Sequence, residues 1–264
     1  MGDFVGRLSI VRQWVKHSGV IPVASLVGGY LAVHAVPTGV RRYTAPTMAD
    51  FAEHGESLAT TAAAFVQALG WSMPQVSAVL DEYQEVKSRL NDRYEECALE
   101  FPVTHGVEAE TGAFLYAVAR LLKPKSVVET GVADGRSSFI ILSALERNGC
   151  GALYSFDIKP QVGKLVGRHP QWHLQISKAE EAVSCFVEAL RRLGTIDLYF
   201  HDSDHRYLSQ LIEYEHAWRF MTPGSVFASD DVDDSRAFLD FCHRNGTTPS
   251  LLLDRRKVIG AVRR

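Results

Sequence analysis

Two short stretches hold residue types able to do chemistry together. The first reads His201-Asp202-Ser203-Asp204-His205, and the second is Asp230-Asp231, with Asp233 and Asp234 just beyond. Carboxylates brought close repel one another unless a cation or protons intervene. Ligands that are all oxygen select a hard octahedral ion, Mg²⁺ or Mn²⁺, which makes Asp202, Asp230 and Asp231 candidate metal ligands. Such an ion binds neighbouring substrate oxygens and lowers a hydroxyl pKa. His205 follows Asp202 by three residues, and an imidazole of ordinary pKa, about 6.5, is matched to taking a hydroxyl proton near neutrality. Plainer readings stand beside these. His205 also suits a helix start or a surface, and residues 231–234 suit a solvated acidic loop capping the helix that begins near Ser235.

A third stretch, residues 126–138, reads Ser-Val-Val-Glu-Thr-Gly-Val-Ala-Asp-Gly-Arg-Ser-Ser. Val127 and Val128 form a β-branched run suited to a buried parallel strand ending at Glu129. Gly131 and Gly135 then bracket a tight turn, and Phe139, Ile140, Leu142 and Leu145 give the next ten or so residues a helical stripe. Free N–H groups at that helix start favour an anionic or polar group in the turn. The dinucleotide fingerprint Gly-x-Gly-x-x-Gly is not met, because position 133 is alanine and a carboxylate precedes the first glycine. That carboxylate repels a pyrophosphate and suits an ammonium. A plain structural turn has the same pattern.

The elements that must place these residues alternate. Helix 110–122 leads into strand 126–130, helix 136–148 and strand 152–156, which Asp157 follows. Strand 172–176 precedes Ser177, Ala179 and Glu180. Strand 196–200, a helix over 208–220 and strand 225–229 come next, and β-runs 250–254 and 257–262 form a closing hairpin. Alternation of this kind predicts a doubly wound, Rossmann-like α/β fold, with a mostly parallel seven-stranded sheet and an antiparallel C-terminal strand. Ligands bind beyond the carboxyl ends of such strands, at the switch point. Asp157 lies 28 positions after Glu129, one strand–helix–strand unit on, where a carboxylate accepts both hydroxyls of a ribose; an ordinary loop aspartate is the alternative. Glu180 follows the next strand, and the plain reading there is a helix-start carboxylate.

Residues 1–104 are expected to form an N-terminal arm and helical cap on a catalytic domain of residues 105–264. Residues 48–69 and 76–99 carry helical periodicity, with Pro74 at the second helix's start. Residues 19–40 are apolar but broken by Pro22, Gly28, Gly29, His34 and Pro37, which argues against a membrane span. A buried or oligomer-forming arm is expected there, with peripheral membrane contact or a substrate lid as alternatives. A net charge of −3 gives no support for a nucleic-acid surface. Cys97, Cys150, Cys185 and Cys242 are far apart, which argues against a zinc cluster or disulfide framework and fits a reducing cytoplasm.

Taken together, residues from about His105 onward resemble class I S-adenosylmethionine-dependent methyltransferases of the catechol O-methyltransferase-like kind. The likeness is closer to the metal-dependent sugar and macrolide-sugar O-methyltransferases and their relatives in antibiotic and glycolipid pathways. Those enzymes carry Asp-x-x-His after the fourth strand and an acidic pair after the fifth, here Asp202-Ser203-Asp204-His205 and Asp230-Asp231. Catechol enzymes have lysine where His205 stands and asparagine as the second member of the pair. The resemblance implies Asp202, Asp230 and Asp231 as ligands to Mg²⁺ or Mn²⁺ and His205 as general base. It implies S-adenosylmethionine near Glu129, Gly131, Gly135, Ser137, Asp157, Ser177, Glu180 and Asp202, and a small hydroxylated acceptor such as a sugar, glycoside or catechol. The closing hairpin agrees with that fold.

Overall fold

The computed structural model describes residues 45–54 and 57–264; the expected helix at 4–15 and the apolar arm at 19–40 lie outside them. Among the described residues, eight strands form one sheet in the order β1-β7-β8-β6-β5-β2-β3-β4. They are β1 Ser57–Ala59, β2 Ser126–Thr130, β3 Ala152–Asp157, β4 Trp172–Ile176, β5 Ile196–His201, β6 Met221–Ser229, β7 Ser250–Asp254 and β8 Lys257–Arg263. All neighbours are parallel except β8, which runs antiparallel to both β6 and β7. The helices are α1 Met48–His54, α2 Ala62–Ala68, α3 Met73–Glu96, α4 Ala109–Leu122, α5 Arg136–Asn148, α6 Ala182–Leu193, α7 Tyr207–Phe220 and α8 Ala237–Asn245.

Strand side chains alternate between faces, and the two cores follow that period. Val127, Leu198, Phe200, Val226 and Ala228 pack with α2 to α5. Val128, Tyr199 and Phe227 pack with Phe186, Leu211, Tyr214 and Phe238 from α6, α7 and α8 on the other face. The helices of residues 62–96 therefore share one core with the sheet.

Two features depart from expectation. The helix expected over 48–69 is two short helices with a strand between, and that strand makes the sheet eight-stranded. Thr61, extended at φ −137°, accepts a hydrogen bond from the Ala64 amide through its hydroxyl and so starts α2 afresh. Leu58 and Ala59 pair with Leu251 and Leu252, covering what would otherwise be an open edge of β7.

The switch point lies between β2 and β5, where strand order reverses. Thr130 is level with His201 and Phe156, and His201 with Ser229. Register alone thus sets Gly131, Asp157, Asp202 and Asp230 side by side at the carboxyl edge of the sheet.

Candidate active site

The turn after β2 is fitted against its neighbour with no room to spare. Gly131 has φ +85°, and a Cβ there would lie 1.9 Å from the Asp202 carbonyl oxygen. Only glycine lets the two loops touch. Ala133, with φ +46°, holds a left-handed conformation that costs an L-residue strain. Below the turn Glu129 is fully buried and accepts hydrogen bonds from the hydroxyls of Ser137 (2.5 Å), Ser138 (2.6 Å) and Ser155 (2.7 Å). Burial pushes its carboxyl up to about 7 against those three donors. Glu129 thus ties β2 to α5 and β3.

Above the turn opens a cavity of about 1080 Å³, just above the roughly 300–1000 Å³ usual for ligand sites. Phe156, Ile158, Ala182, Val183 and Phe186 give it an apolar wall. Asp157 stands at that wall, its carboxylate accepting the amides of Val132 (2.9 Å), Ile158 (2.7 Å) and Lys159 (2.9 Å). Those bonds fix its orientation and leave lone pairs for a further donor. Phe101, Thr104 and His105 form part of the opposite wall. Asp134 holds that segment down by accepting the amides of Glu100 (3.0 Å) and Phe101 (2.9 Å), and Arg256 donates to the Thr104 carbonyl (3.0 Å) and to Glu108 (3.1 Å).

The acidic residues meet at the far end. His205 Nδ1 lies 3.2 Å from Asp231 Oδ2, and its Nε2 lies 3.6 Å from Asp202 Oδ1, too long for a hydrogen bond. Nε2 has no hydrogen-bond partner among the described residues. Nδ1 thus carries the Asp231 contact, and Nε2 is the ring nitrogen without a hydrogen-bond partner. Burial alone would lower the imidazole's pKa, but Asp202, then Asp231 and Asp230, raise it to about 9. One ligand atom each from Asp202, His205 and Asp231 lies within 4.8 Å of the others. Asp230 is fully buried beside them. Its Oδ2 accepts from Lys257 Nζ at 2.9 Å and its Oδ1 from the Asp231 amide at 3.0 Å. The same ammonium reaches Asp231 Oδ2 at 3.0 Å. Burial drives Asp230 upward, as do Asp202 and Asp231; Lys257 is kept protonated because those carboxylates outweigh its own desolvation.

Comparison with known proteins bears on what this edge of the sheet is for. Residues 128–232 match the profile of a family described as a methyltransferase domain. The match runs from the strand before the glycine turn to just past the Asp230-Asp231 pair. A catechol O-methyltransferase of Niastella koreensis is 26% identical over 152 residues, covering 55% of this chain and 65% of that protein. The chain therefore spans just under two thirds of that relative's length. Similar solved structures include an O-methyltransferase from Bacillus cereus in complex with SAH, 14% identical, covering 68% of this chain and 90% of that one at a TM-score of 0.49. Another is TomG of Streptomyces achromogenes in complex with SAM, 18% identical, covering 76% and 94% at 0.49.

At this edge of the sheet the residues singled out in the sequence divide. Gly131, Asp157, Ser177, Glu180, Asp202, His205 and Asp231 line the cavity. Glu129, Gly135 and Ser137 do not; they build the floor under the turn, where Gly135 packs on Gly163 and Val166. Asp230 lies behind the cavity wall, on Lys257. Sequence reasoning passed over two residues. Lys257 opens the last β-run, and a lysine ahead of Val-Ile-Gly-Ala-Val was the one signal that it turns inward. Glu213, on α7, lines the cavity, accepts from Ser203 (3.0 Å) and contacts His201 Nδ1 (2.9 Å). Burial would raise its pKa, and contacts from His201, Thr130 and Ser203 together outweigh that and hold it below the usual range.

Proposed function

We propose that the chain is an S-adenosylmethionine-dependent O-methyltransferase acting on a hydroxyl of a small molecule of the sugar, glycoside or catechol kind, with His205 as general base. One observation carries the reading. A partly buried imidazole with Asp231 at its Nδ1 and no partner at its Nε2 lines the same cavity that Gly131 and Asp157 border. The residues present fit the cofactor. Asp157 offers remaining lone pairs toward ribose hydroxyls, the wall of Phe156, Ile158, Val183 and Phe186 suits a flat base, and Asp202 suits an ammonium. When bound, the cofactor supplies a methyl carbon whose bond to sulfur breaks, with the electron pair left on sulfur, as the acceptor oxygen bonds to it.

The chain's own work is positioning and proton transfer. His205 Nε2 takes the hydroxyl proton, and Asp231 and Asp202 stabilise the resulting imidazolium. At a resting pKa of about 9 the imidazole is charged near neutrality. It would therefore take a proton most readily as pH rises toward that value. The all-oxygen set expected for Mg²⁺ does not fit these residues. The trio whose atoms converge is Asp202, His205 and Asp231, which includes an imidazole nitrogen, while Asp230 is turned to Lys257. No step is drawn through a metal.

The test pairs calorimetric titration with S-adenosylhomocysteine and a labelled-methyl assay over sugars, glycosides and catechols. His205→Ala is expected to lower turnover by roughly 10²–10⁴-fold while leaving S-adenosylhomocysteine affinity nearly unchanged. Failure of the unaltered protein to bind S-adenosylhomocysteine, or full activity of the variant, overturns the proposal.

A further inference from the structure

We infer that the ammonium of Lys257 is the built-in counter-ion of the acidic cluster, standing where a divalent cation would be required, so that this site works without a metal. Lys257 belongs to none of the segments that carry the acids. It opens β8, and the hairpin brings it to the loop after β6, where the Val232 amide donates to the Val258 carbonyl (2.9 Å) and the Val258 amide to Asp233 (2.9 Å). Those two bonds on the next residue fix the backbone, and the side chain is 11% exposed. Nζ is then 2.9 Å from Asp230 and 3.0 Å from Asp231. A divalent ion ligated by the same oxygens would lie against that positive charge, and like charges at that range repel strongly in a partly buried site. Carboxylates brought together are relieved by a cation or by protons, and here the chain supplies an ammonium to two of them. The same ammonium anchors the Asp231 oxygen that faces His205 Nδ1, which makes Lys257 a positioning residue for the base.

The inference rests on the methyl-transfer reading for its consequence in catalysis, but its first test does not depend on turnover. Mn²⁺ added to the unaltered protein and followed by electron paramagnetic resonance should keep its free-ion signal. Lys257→Ala and the near-isosteric Lys257→Gln should each gain roughly tenfold or more in Mn²⁺ affinity, since removing the ammonium exposes the carboxylates. That gain should vanish when Asp231→Asn is added, and a merely structural lysine would produce no such gain. In the labelled-methyl assay, activity of the unaltered protein should be indifferent to chelator. Stoichiometric Mn²⁺ binding by the unaltered protein, lost in Asp202→Asn or Asp231→Asn, overturns the inference whether or not the variants fold. So does loss of methyl transfer on chelation with restoration by Mg²⁺. Absence of any methyl transfer with Mn²⁺ binding as expected counts against the methyl-transfer reading and leaves the lysine assignment supported.

Discussion

Asp231 and His205 make an orienting pair whose chemistry is set by charge rather than by residue type. The imidazole is raised to about 9, because Asp202, Asp231 and Asp230 together outweigh the desolvation that would lower it. A base must be deprotonated to act, so kcat/KM should climb with pH above neutrality, toward a plateau near pH 9. Asp231→Asn removes one raising charge and should move that limb to lower pH; a limb that stays in place means Asp231 does not face the base. From the sequence, the spacing of Asp202 and His205 gave the residue types and their nearness. It could not give the shift, which is the sum of carboxylates carried by two separate loops. Lys257 was hidden for the same reason: its partners are 26 and 27 positions away, joined to it only by an antiparallel crossing.

The unit formed by β2, the glycine turn and α5 is held by one buried carboxylate and three hydroxyls. Glu129 read as a strand-end acid facing the cofactor. The structure instead places it beneath the turn, since Ser137 and Ser138 on the first turn of α5 and Ser155 on β3 converge on it. No periodicity marks three serines from two elements as a cage. Its pKa, raised from 4.5 to about 7 by burial, gives the sign of a stability effect. A raised acid contributes fully below its unfolded value and loses that contribution as pH climbs from 4.5 to about 7. The loss is on the order of 3 kcal/mol at about 1.36 kcal/mol per pH unit. Urea midpoints at the two ends of that window should therefore differ less for Glu129→Gln than for the unaltered protein. An equal slope in both removes Glu129 as the source.

Across the whole molecule, the closing hairpin is what joins the sheet to the helices before it. Asp254, at the end of β7, is 2% exposed and accepts from both the amide (2.7 Å) and the hydroxyl (2.9 Å) of Thr111 in the first turn of α4. It satisfies a helix-start amide from 143 residues away. Asp254→Ala should cost about 2–3 kcal/mol through the stranded amide, a fall in Tm of roughly 5–10 °C, measured by calorimetry; a Tm within a degree or two would refute the clamp. Alternation of strands and helices made the parallel sheet and the final hairpin readable in advance. The edge strand β1 was not, because three residues carry no period and its pairing with β7 is purely long-range. The place of β8 has its own bearing on how the protein is made. It is the last of the eight described strands in chain order yet lies between β6 and β7 within the sheet. A growing polypeptide that has already produced the glycine turn, the imidazole and all three acids therefore still lacks the slot-filling strand, and with it the ammonium that lets those acids settle. Assembly of the catalytic edge is in this sense withheld until translation has passed residue 257.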